Sequence, residues 1–160
     1  MRYLKILIIS LFFFPLPVLA VPYEEEIRYF SSVFNVDWRL LAALAEVESG
    51  FNASAINKRD PSYGLMQILC MKKKGGGCRN KFNIHGWEVA TPEILLDART
   101  NLFFAAQILA WNVETYGVYR GIAVYNNWQA RFYKENFPNQ QFVNAVYSKY
   151  KRNKRMFPNA

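Results

Sequence analysis

The chain has 160 residues, of which 52% are hydrophobic and 17% aromatic, and it carries a formal net charge of +8 at pH 7. This length suits one domain, and the apolar content excludes a disordered chain because it is ample for a hydrophobic core. The positive charge alone would suit nucleic acid or an anionic envelope polymer, but no nucleic-acid-binding motif is present, so we expect no nucleic-acid partner.

The first twenty residues have the order of a cleavable secretory signal. Arg2 and Lys5 precede an apolar run from Ile6 to Phe14, and two prolines lead to the small-residue end Val18-Leu19-Ala20. The apolar run is shorter than the roughly 20 residues that span a bilayer, which disfavours a membrane anchor. We therefore predict cleavage after residue 20, no stable membrane anchor afterwards, and a periplasmic or secreted domain over residues 21–160.

Helical periodicity dominates the rest of the chain and predicts a mainly α fold, with one globular domain and a small β or loop excursion. Ile27, Phe30 and Phe34 mark the apolar stripe of a first helix that ends at Asn35. A second helix is predicted from Trp38 to about Ser49, with the preceding aspartate as its N-cap and the following glycine as its C-terminal cap.

The two glutamates near the end of this second helix fall on opposite faces. At about 100° per residue, Glu48 lies inside the apolar stripe defined by Leu40, Leu41 and Leu44, whereas Glu46 lies on the polar face. A carboxyl group in apolar surroundings is costly to ionise, so its pKa should rise and it should keep its proton near neutral pH. Such a group can serve as a general acid, although the pattern also fits an ordinary exposed residue at a helix end.

The middle of the chain predicts turns and loops, namely a turn over Lys58–Gly64 and a loop at Gly75–Gly77. Cys70 and Cys78 are the only cysteines, and in an oxidising compartment we expect them to form a disulfide. Their spacing is not that of zinc ligands and His85 is the only histidine, so the sequence predicts neither a metal nor a cofactor.

Helices return in the second half of the chain. A long one is predicted from Thr91 to about Tyr116, a shorter one around Val118–Asn126, and a last one over about Gln140–Tyr150. The basic residues between positions 149 and 155 are expected to form a solvated C-terminal tail.

Four short motifs follow one another along the chain. They are Glu48-Ser49-Gly50-Phe51-Asn52, Tyr63-Gly64-Leu65-Met66-Gln67-Ile68, Asn101-Leu102 through Leu109, and Ala123-Val124-Tyr125-Asn126. In order and spacing they resemble the motifs of soluble lytic transglycosylases, the peptidoglycan-cleaving relatives of goose-type lysozyme. The resemblance spans about Val36 to Tyr147, and the stretch from Asn57 to Gln67 is similar to specialised members that accompany secretion or conjugation machines.

The resemblance implies a lysozyme-like α domain with a groove for alternating N-acetylglucosamine and N-acetylmuramic acid. Glu48 would protonate the glycosidic oxygen, and its carboxylate would then take the proton of the muramoyl C6 hydroxyl, which leaves a 1,6-anhydro end. The implied partners are glycan strands of peptidoglycan and, for a specialised member, components of a secretion or conjugation apparatus. We expect a monomer.

The resemblance also assigns substrate-binding positions, with Ser49 supporting the glutamate, Met66 against a sugar face, Gln67 offering amide hydrogen bonds and Tyr125 orienting the acid. The full set is Ser49, Gly64, Met66, Gln67, Tyr125 and Asn126. One departure from the family pattern is that Asn127 and Trp128 follow the last motif in place of a glycine, which predicts a modified groove floor.

Two other functions remain open at this point. A hydrolytic lysozyme would need a second carboxylate to activate water. The candidates for it are Glu46, Asp60, Glu88, Glu93 and Asp97, none of which has a comparably buried pattern. A non-catalytic wall-binding or assembly module would keep the fold without turnover. A mechanism with one carboxylate agrees best with the helical pattern.

Overall fold

The computed structural model describes residues 20–75, 77–79, 86, 88 and 90–158. The predicted signal peptide, apart from its last residue, and His85 lie outside the described residues. Within the described part, none of the helices combines the length and the apolar character needed to cross a membrane.

Helices and one small sheet form the domain, and the predicted mainly α class with a small β excursion is confirmed. The helices are α1 (Glu24–Val33), α2 (Trp38–Ser49), α3 (Ala98–Tyr116), α4 (Val118–Asn126) and α5 (Gln140–Met156). The antiparallel strands are β1 (Ile56–Asn57), β2 (Ser62–Tyr63) and β3 (Ile68–Leu69), with β2 in the centre. Two short 3-10 helices cover Ile94–Leu96 and Trp128–Phe132.

Helix α2 lies in the centre of the core, and its limits are those predicted. The Asp37 side chain accepts a hydrogen bond from the backbone N–H of Arg39 at 3.0 Å, and Gly50 ends the helix with a φ of 62°. Leu40, Leu41 and other residues over most of its length are buried. The burial of α2 fixes the direction in which its last turn points.

Helix α5 holds both ends of α2. The Tyr150 hydroxyl donates a hydrogen bond to Oδ2 of Asp37 at 2.8 Å, and Lys149 Nζ and Arg152 Nη2 each lie 2.6 Å from the Glu46 carboxylate. Glu46 therefore lies beneath α5 and not on an open polar face. The last helix also continues past Tyr150, so the basic residues expected in a solvated tail belong to its final turns.

The predicted start of α3 is wrong by almost two turns. Thr91 does accept a hydrogen bond, from the backbone N–H of Ile94 at 3.2 Å, but this contact holds only the turn that leads into the 3-10 helix, whose N-cap is Glu93. Asp97 then adopts an extended conformation and accepts a hydrogen bond from the N–H of Thr100 at 2.8 Å. Two such side-chain contacts six positions apart thus divide the helical pattern into two elements.

The expected disulfide between Cys70 and Cys78 is present, and both cysteines are buried. It closes the loop that follows β3, and Lys72, Lys73 and Lys74 lie exposed on that loop. The disulfide therefore attaches a basic surface loop to the core.

Candidate active site

A cleft opens at the C-terminal end of α2, between the sheet and the end of α4. Four of the predicted site residues, Glu48, Gln67, Tyr125 and Asn126, line it. The other lining residues are Asn57, Asp60, Ser62, Ile68, Leu69, Ile108 and Trp128. With Ile108 from the third motif, the fold therefore brings residues of all four motifs together in one cavity.

Glu48 has the properties of a general acid. It is half-buried because it borders the open cleft, yet the removal of water from around its carboxyl group raises its pKa to about 8. Among the described residues, no hydrogen bond or ion pair to its carboxyl group opposes this effect. Glu48 thus holds a proton at neutral pH, as its position in the apolar stripe predicts.

Tyr125 lies close enough to Glu48 for the ionisation of one to disfavour that of the other. Burial raises the pKa of Tyr125 well above its ordinary value, and Glu48 in its ionised form raises it further. Its hydroxyl donates a hydrogen bond to the Met66 carbonyl at 3.0 Å. The tyrosine therefore stays protonated and connects α4 to the wall of the cleft.

The segment Tyr63–Met66, called here the carbonyl turn, connects β2 to the residues Gln67–Leu69, which form one wall of the cleft. Each of its four carbonyl oxygens accepts a hydrogen bond from a different side chain. The donors are Asn101 Nδ2 to Tyr63 at 2.8 Å, Gln67 Nε2 to Gly64 at 2.9 Å, Ser49 Oγ to Leu65 at 2.7 Å and Tyr125 to Met66 at 3.0 Å. These contacts fix the cleft wall relative to the last turn of α2.

Asn101, on α3, is the most highly connected of these donors, and the prediction of site residues missed it. It is fully buried, and its Oδ1 accepts a hydrogen bond from the Met66 N–H at 2.7 Å. Its Nδ2 also donates to the Leu95 carbonyl at 2.7 Å. A buried amide with three partners is costly to replace, so Asn101 is a positioning residue for the cleft wall.

Three predicted substrate-binding residues do not line the cleft. Met66 is 0% exposed, so the predicted contact of its side chain with a sugar face is wrong, and it contributes through its backbone. Gly64 is buried against Leu95 and Asn101. Ser49 supports the site from beneath through its hydrogen bond to the carbonyl turn.

Gln67 lines the cleft, but it can offer a ligand fewer hydrogen bonds than predicted. Its Nε2 donates to the carbonyls of Ala55 at 3.2 Å and Gly64 at 2.9 Å. Both hydrogens of the amide are therefore engaged by the protein, and only the side-chain oxygen is left to accept a hydrogen bond from a ligand.

Asp60 and Trp128 also border the cleft, although neither was predicted to bind substrate. Asp60 is exposed on the turn between β1 and β2, and the replacement of the family glycine by Asn127 and Trp128 was the only indication of the second. In the described part of the chain, no cluster of three or more His, Cys, Asp or Glu side chains is arranged to hold a metal ion. The polar side chains that line the cleft carry carboxyl, amide, hydroxyl, phenol and indole groups.

Comparison with known proteins identifies the family. The transglycosylase SLT domain family matches residues 26–144. The fold is similar to that of the lytic transglycosylase Slt from Pseudomonas aeruginosa, solved as an inactive mutant, with a TM-score of 0.66 and 18% identity over 86% of this chain and 25% of that one. It is also similar to the 70 kDa soluble lytic transglycosylase from Escherichia coli, with a TM-score of 0.65 and 22% identity over 86% of this chain and 24% of that one.

The chain thus spans about a quarter of the length of these two enzymes, and the likeness to them concerns the fold. The family match covers most of the chain, and the four motifs that meet at the cleft lie within it. The chain therefore belongs to the transglycosylase SLT domain family.

Proposed function

We propose that the chain is a peptidoglycan lytic transglycosylase that cleaves the β-1,4 bond between N-acetylmuramic acid and N-acetylglucosamine and leaves 1,6-anhydro ends. The observation that carries the proposal is Glu48, a carboxyl group that borders the cleft with a pKa raised to about 8. Family membership supports the substrate class. The predicted signal and the resemblance of the 57–67 stretch support a periplasmic or secreted enzyme that opens the wall locally for a secretion or conjugation machine, and the proposal takes the enzyme to act as a monomer.

The proposed reaction needs one carboxyl group and no water. Glu48 gives its proton to the bridging oxygen as the bond from that oxygen to the anomeric carbon breaks. The muramoyl C6 hydroxyl attacks the anomeric carbon, a new carbon–oxygen bond forms, and the hydroxyl proton passes to the Glu48 carboxylate. Glu48 ends in the protonation state in which it began, so each turnover returns the acid.

We expect the rate of cleavage to fall as the pH rises through about 8. The pKa of Glu48 is raised to about 8, so the protonated form that donates to the glycosidic oxygen is lost above that pH. The test is a profile of kcat/KM for a soluble glycan oligomer between about pH 5 and pH 10, with circular dichroism showing that the protein stays folded.

Glu46→Gln is the matched control for this profile, because it removes a carboxylate from the same helix but not from the cleft. The alkaline limb should stay at the same pH in this variant. A cleavage rate that increases between about pH 7 and pH 9 would contradict the assignment of Glu48 as the acid.

Product analysis tests the type of reaction. Purified sacculi digested with the mature protein should yield muramic ends in the 1,6-anhydro form, identified by mass spectrometry. Asp60→Asn should give the same products, because the proposed reaction does not use Asp60. Reducing ends, which carry an added water, would exclude the transglycosylase reaction.

Reducing ends would instead support a hydrolytic lysozyme, and one observation favours that alternative. Asp60 borders the same cleft as Glu48, and hydrolysis commonly uses a second carboxylate to activate water or to act as a nucleophile. However, Asp60 is exposed, and no hydrogen bond or ion pair of the described residues holds its carboxylate. A side chain without such contacts is not preorganised for catalysis, which favours the reaction with one carboxyl group.

A further inference from the structure

Large aromatic side chains are exposed at the edge of the cleft, on the 3-10 helix that follows α4. Trp128 is 44% exposed and Phe132 is 70% exposed. Together with Arg131, which lies between them, they are called here the aromatic rim. Because Trp128 also lines the cleft that contains Glu48, the rim is continuous with the catalytic site.

The backbone of the rim is held firmly although its rings are exposed. Ala130 is fully buried beneath it, and the Asn127 side chain caps the 3-10 helix by accepting a hydrogen bond from the Gln129 N–H at 3.1 Å. At the other end, Arg120 of α4 donates a hydrogen bond to the Arg131 carbonyl. The exposed rings are therefore displayed by a fixed segment and not by a loose loop.

The Arg131 guanidinium lies against both rings, 4.2 Å from the centroid of Trp128 and 4.6 Å from that of Phe132. Stacking uses the flat faces of the guanidinium and leaves its N–H groups, which lie in its plane, available. No acidic side chain among the described residues forms an ion pair with Arg131, and its side chain donates no hydrogen bond there. The rim thus holds an oriented cation whose donors are unused.

We propose that the aromatic rim binds the peptide-bearing part of the peptidoglycan strand, with a sugar ring against Trp128 and a carboxylate of the stem peptide on Arg131. The inference rests on the proposed function and names the part of the substrate that this edge of the cleft recognises. Trp128 is among the cleft-lining residues and Arg131 is not.

The sugar ring and the peptide of the substrate match the chemistry of Trp128 and Arg131, respectively. The C–H face of a pyranose ring is apolar and suits the face of an indole, whereas the stem peptide carries free carboxylates that suit a guanidinium. In peptidoglycan this peptide branches from the muramic acid ring itself. A strand lying in the cleft would therefore present its ring to Trp128 and its peptide to the neighbouring Arg131.

Binding measured without turnover tests the inference. In the Glu48→Gln background, the affinity is measured by calorimetry for two probes, a tetrasaccharide of the alternating sugars with tetrapeptide stems and the same tetrasaccharide stripped by an amidase. Arg131→Ala should weaken binding of the stem-bearing probe about tenfold and change binding of the stripped probe by less than about twofold. Trp128→Ala should weaken binding of both probes about tenfold.

Two variants of exposed residues outside the cleft provide the controls, Trp111→Ala on α3 and Arg155→Ala on α5. They remove an aromatic ring and a cation of the same kinds, and neither should change the affinity for either probe. Equal weakening of both probes by Arg131→Ala, or no weakening by it, would overturn the peptide assignment. Unchanged binding in Trp128→Ala would overturn the sugar assignment.

The result of this binding experiment does not depend on whether the proposed function is correct. The proposed function is judged by the anhydro products that the unmodified chain releases from sacculi, and these do not depend on the affinity for the two probes. Anhydro products combined with equal affinity of the Glu48→Gln protein for the two probes would refute the role of Arg131 in binding the peptide and leave the proposed reaction intact.

Discussion

Glu48→Gln is expected to lower the rate of glycan cleavage by about one hundredfold to ten thousandfold, the range that a general acid contributes. Glutamine keeps the shape of the side chain but neither releases a carboxylic proton nor takes one back. The rate is measured as the release of soluble fragments from purified sacculi, and binding of the variant to sacculi should persist. Cleavage at the full rate by this variant would remove Glu48 from the mechanism.

The same experiment decides on the non-catalytic alternative. A wall-binding module would bind sacculi in the unmodified form and in Glu48→Gln, and neither form would release fragments. Cleavage that is present in the unmodified chain and lost in the variant, with binding intact, excludes this alternative. The catalytic role and the binding role are thus read from separate measurements.

The substitution should also increase stability, by an amount that depends on pH. The pKa of Glu48 is raised in the folded state from the ordinary 4.5 to about 8, so the unfolded chain loses this proton at a lower pH. Below about pH 4.5 Glu48 is protonated in both states, and its contribution to the free energy of unfolding is at its most favourable. This contribution is lost progressively as the pH rises from there to about 8. Glu48→Gln should consequently raise the melting temperature at pH 8 and leave it nearly unchanged at about pH 4.

Glu46→Gln provides a control of opposite sign on the same helix. Burial acts to raise the pKa of Glu46, but the hydrogen bonds from Arg152 and Lys149 outweigh it and lower the pKa below its ordinary 4.5. Its contribution to stability is therefore present above about pH 4.5 and lost as the pH falls through the lowered pKa. The Glu46 variant should melt at a lower temperature than the unmodified protein at neutral pH.

Gly64→Ala is expected to destabilise the fold by about 2–5 kcal/mol and to abolish cleavage. Gly64 has a φ of +78°, which costs an alanine about 1–2 kcal/mol, and overpacking adds about 1–3 kcal/mol. A Cβ atom there would lie 2.2 Å from the Leu95 carbonyl oxygen and 2.5 Å from Nδ2 of Asn101. Neither atom can retreat cheaply, because one belongs to the backbone and the other to a buried amide with three partners.

Gly50→Ala separates the two causes. Gly50 also has a positive φ, +62°, but no atom would lie within 4 Å of an added Cβ. Only the conformational cost of about 1–2 kcal/mol should therefore appear. Urea unfolding of both variants gives the comparison, and an equal loss of stability in the two would contradict the steric argument at Gly64.

Capping residues in the sequence predicted the limits of α2 correctly and the start of α3 wrongly. Asp37 and Gly50 are capping residues placed at the true ends of α2, and no competing caps lie between them. The Thr91 and Asp97 side chains both accept a hydrogen bond from a backbone N–H three residues further on, and the sequence does not indicate which of the two begins the long helix. That choice is made by packing, since Leu95 is fully buried and its carbonyl receives the Asn101 amide.

Some residues of the candidate site could likewise be predicted from the sequence, and others could not. The raised pKa of Glu48 agrees with helical periodicity, because the apolar stripe of α2 faces the core and burial is the cause of the shift. Met66 could not be placed in this way, since in a short turn between two-residue strands no period distinguishes a cleft-facing side chain from a buried one. Asn101 did carry an indication, as a polar residue on the buried side of an apolar helix.

The carbonyl turn has a consequence for how such a cleft can diverge between related proteins. Its four oxygens are held by side chains from outside the turn or from the residue that follows it, so the main chain of Tyr63–Met66 fixes the positions of Ser62 and Gln67, which line the cleft on either side of the turn. Positions 65 and 66 are then free to drift among apolar residues of similar volume without altering the surface that a ligand meets. Selection for a new ligand would act instead on the exposed edge, where Trp128 and its neighbours can change without disturbing the acid.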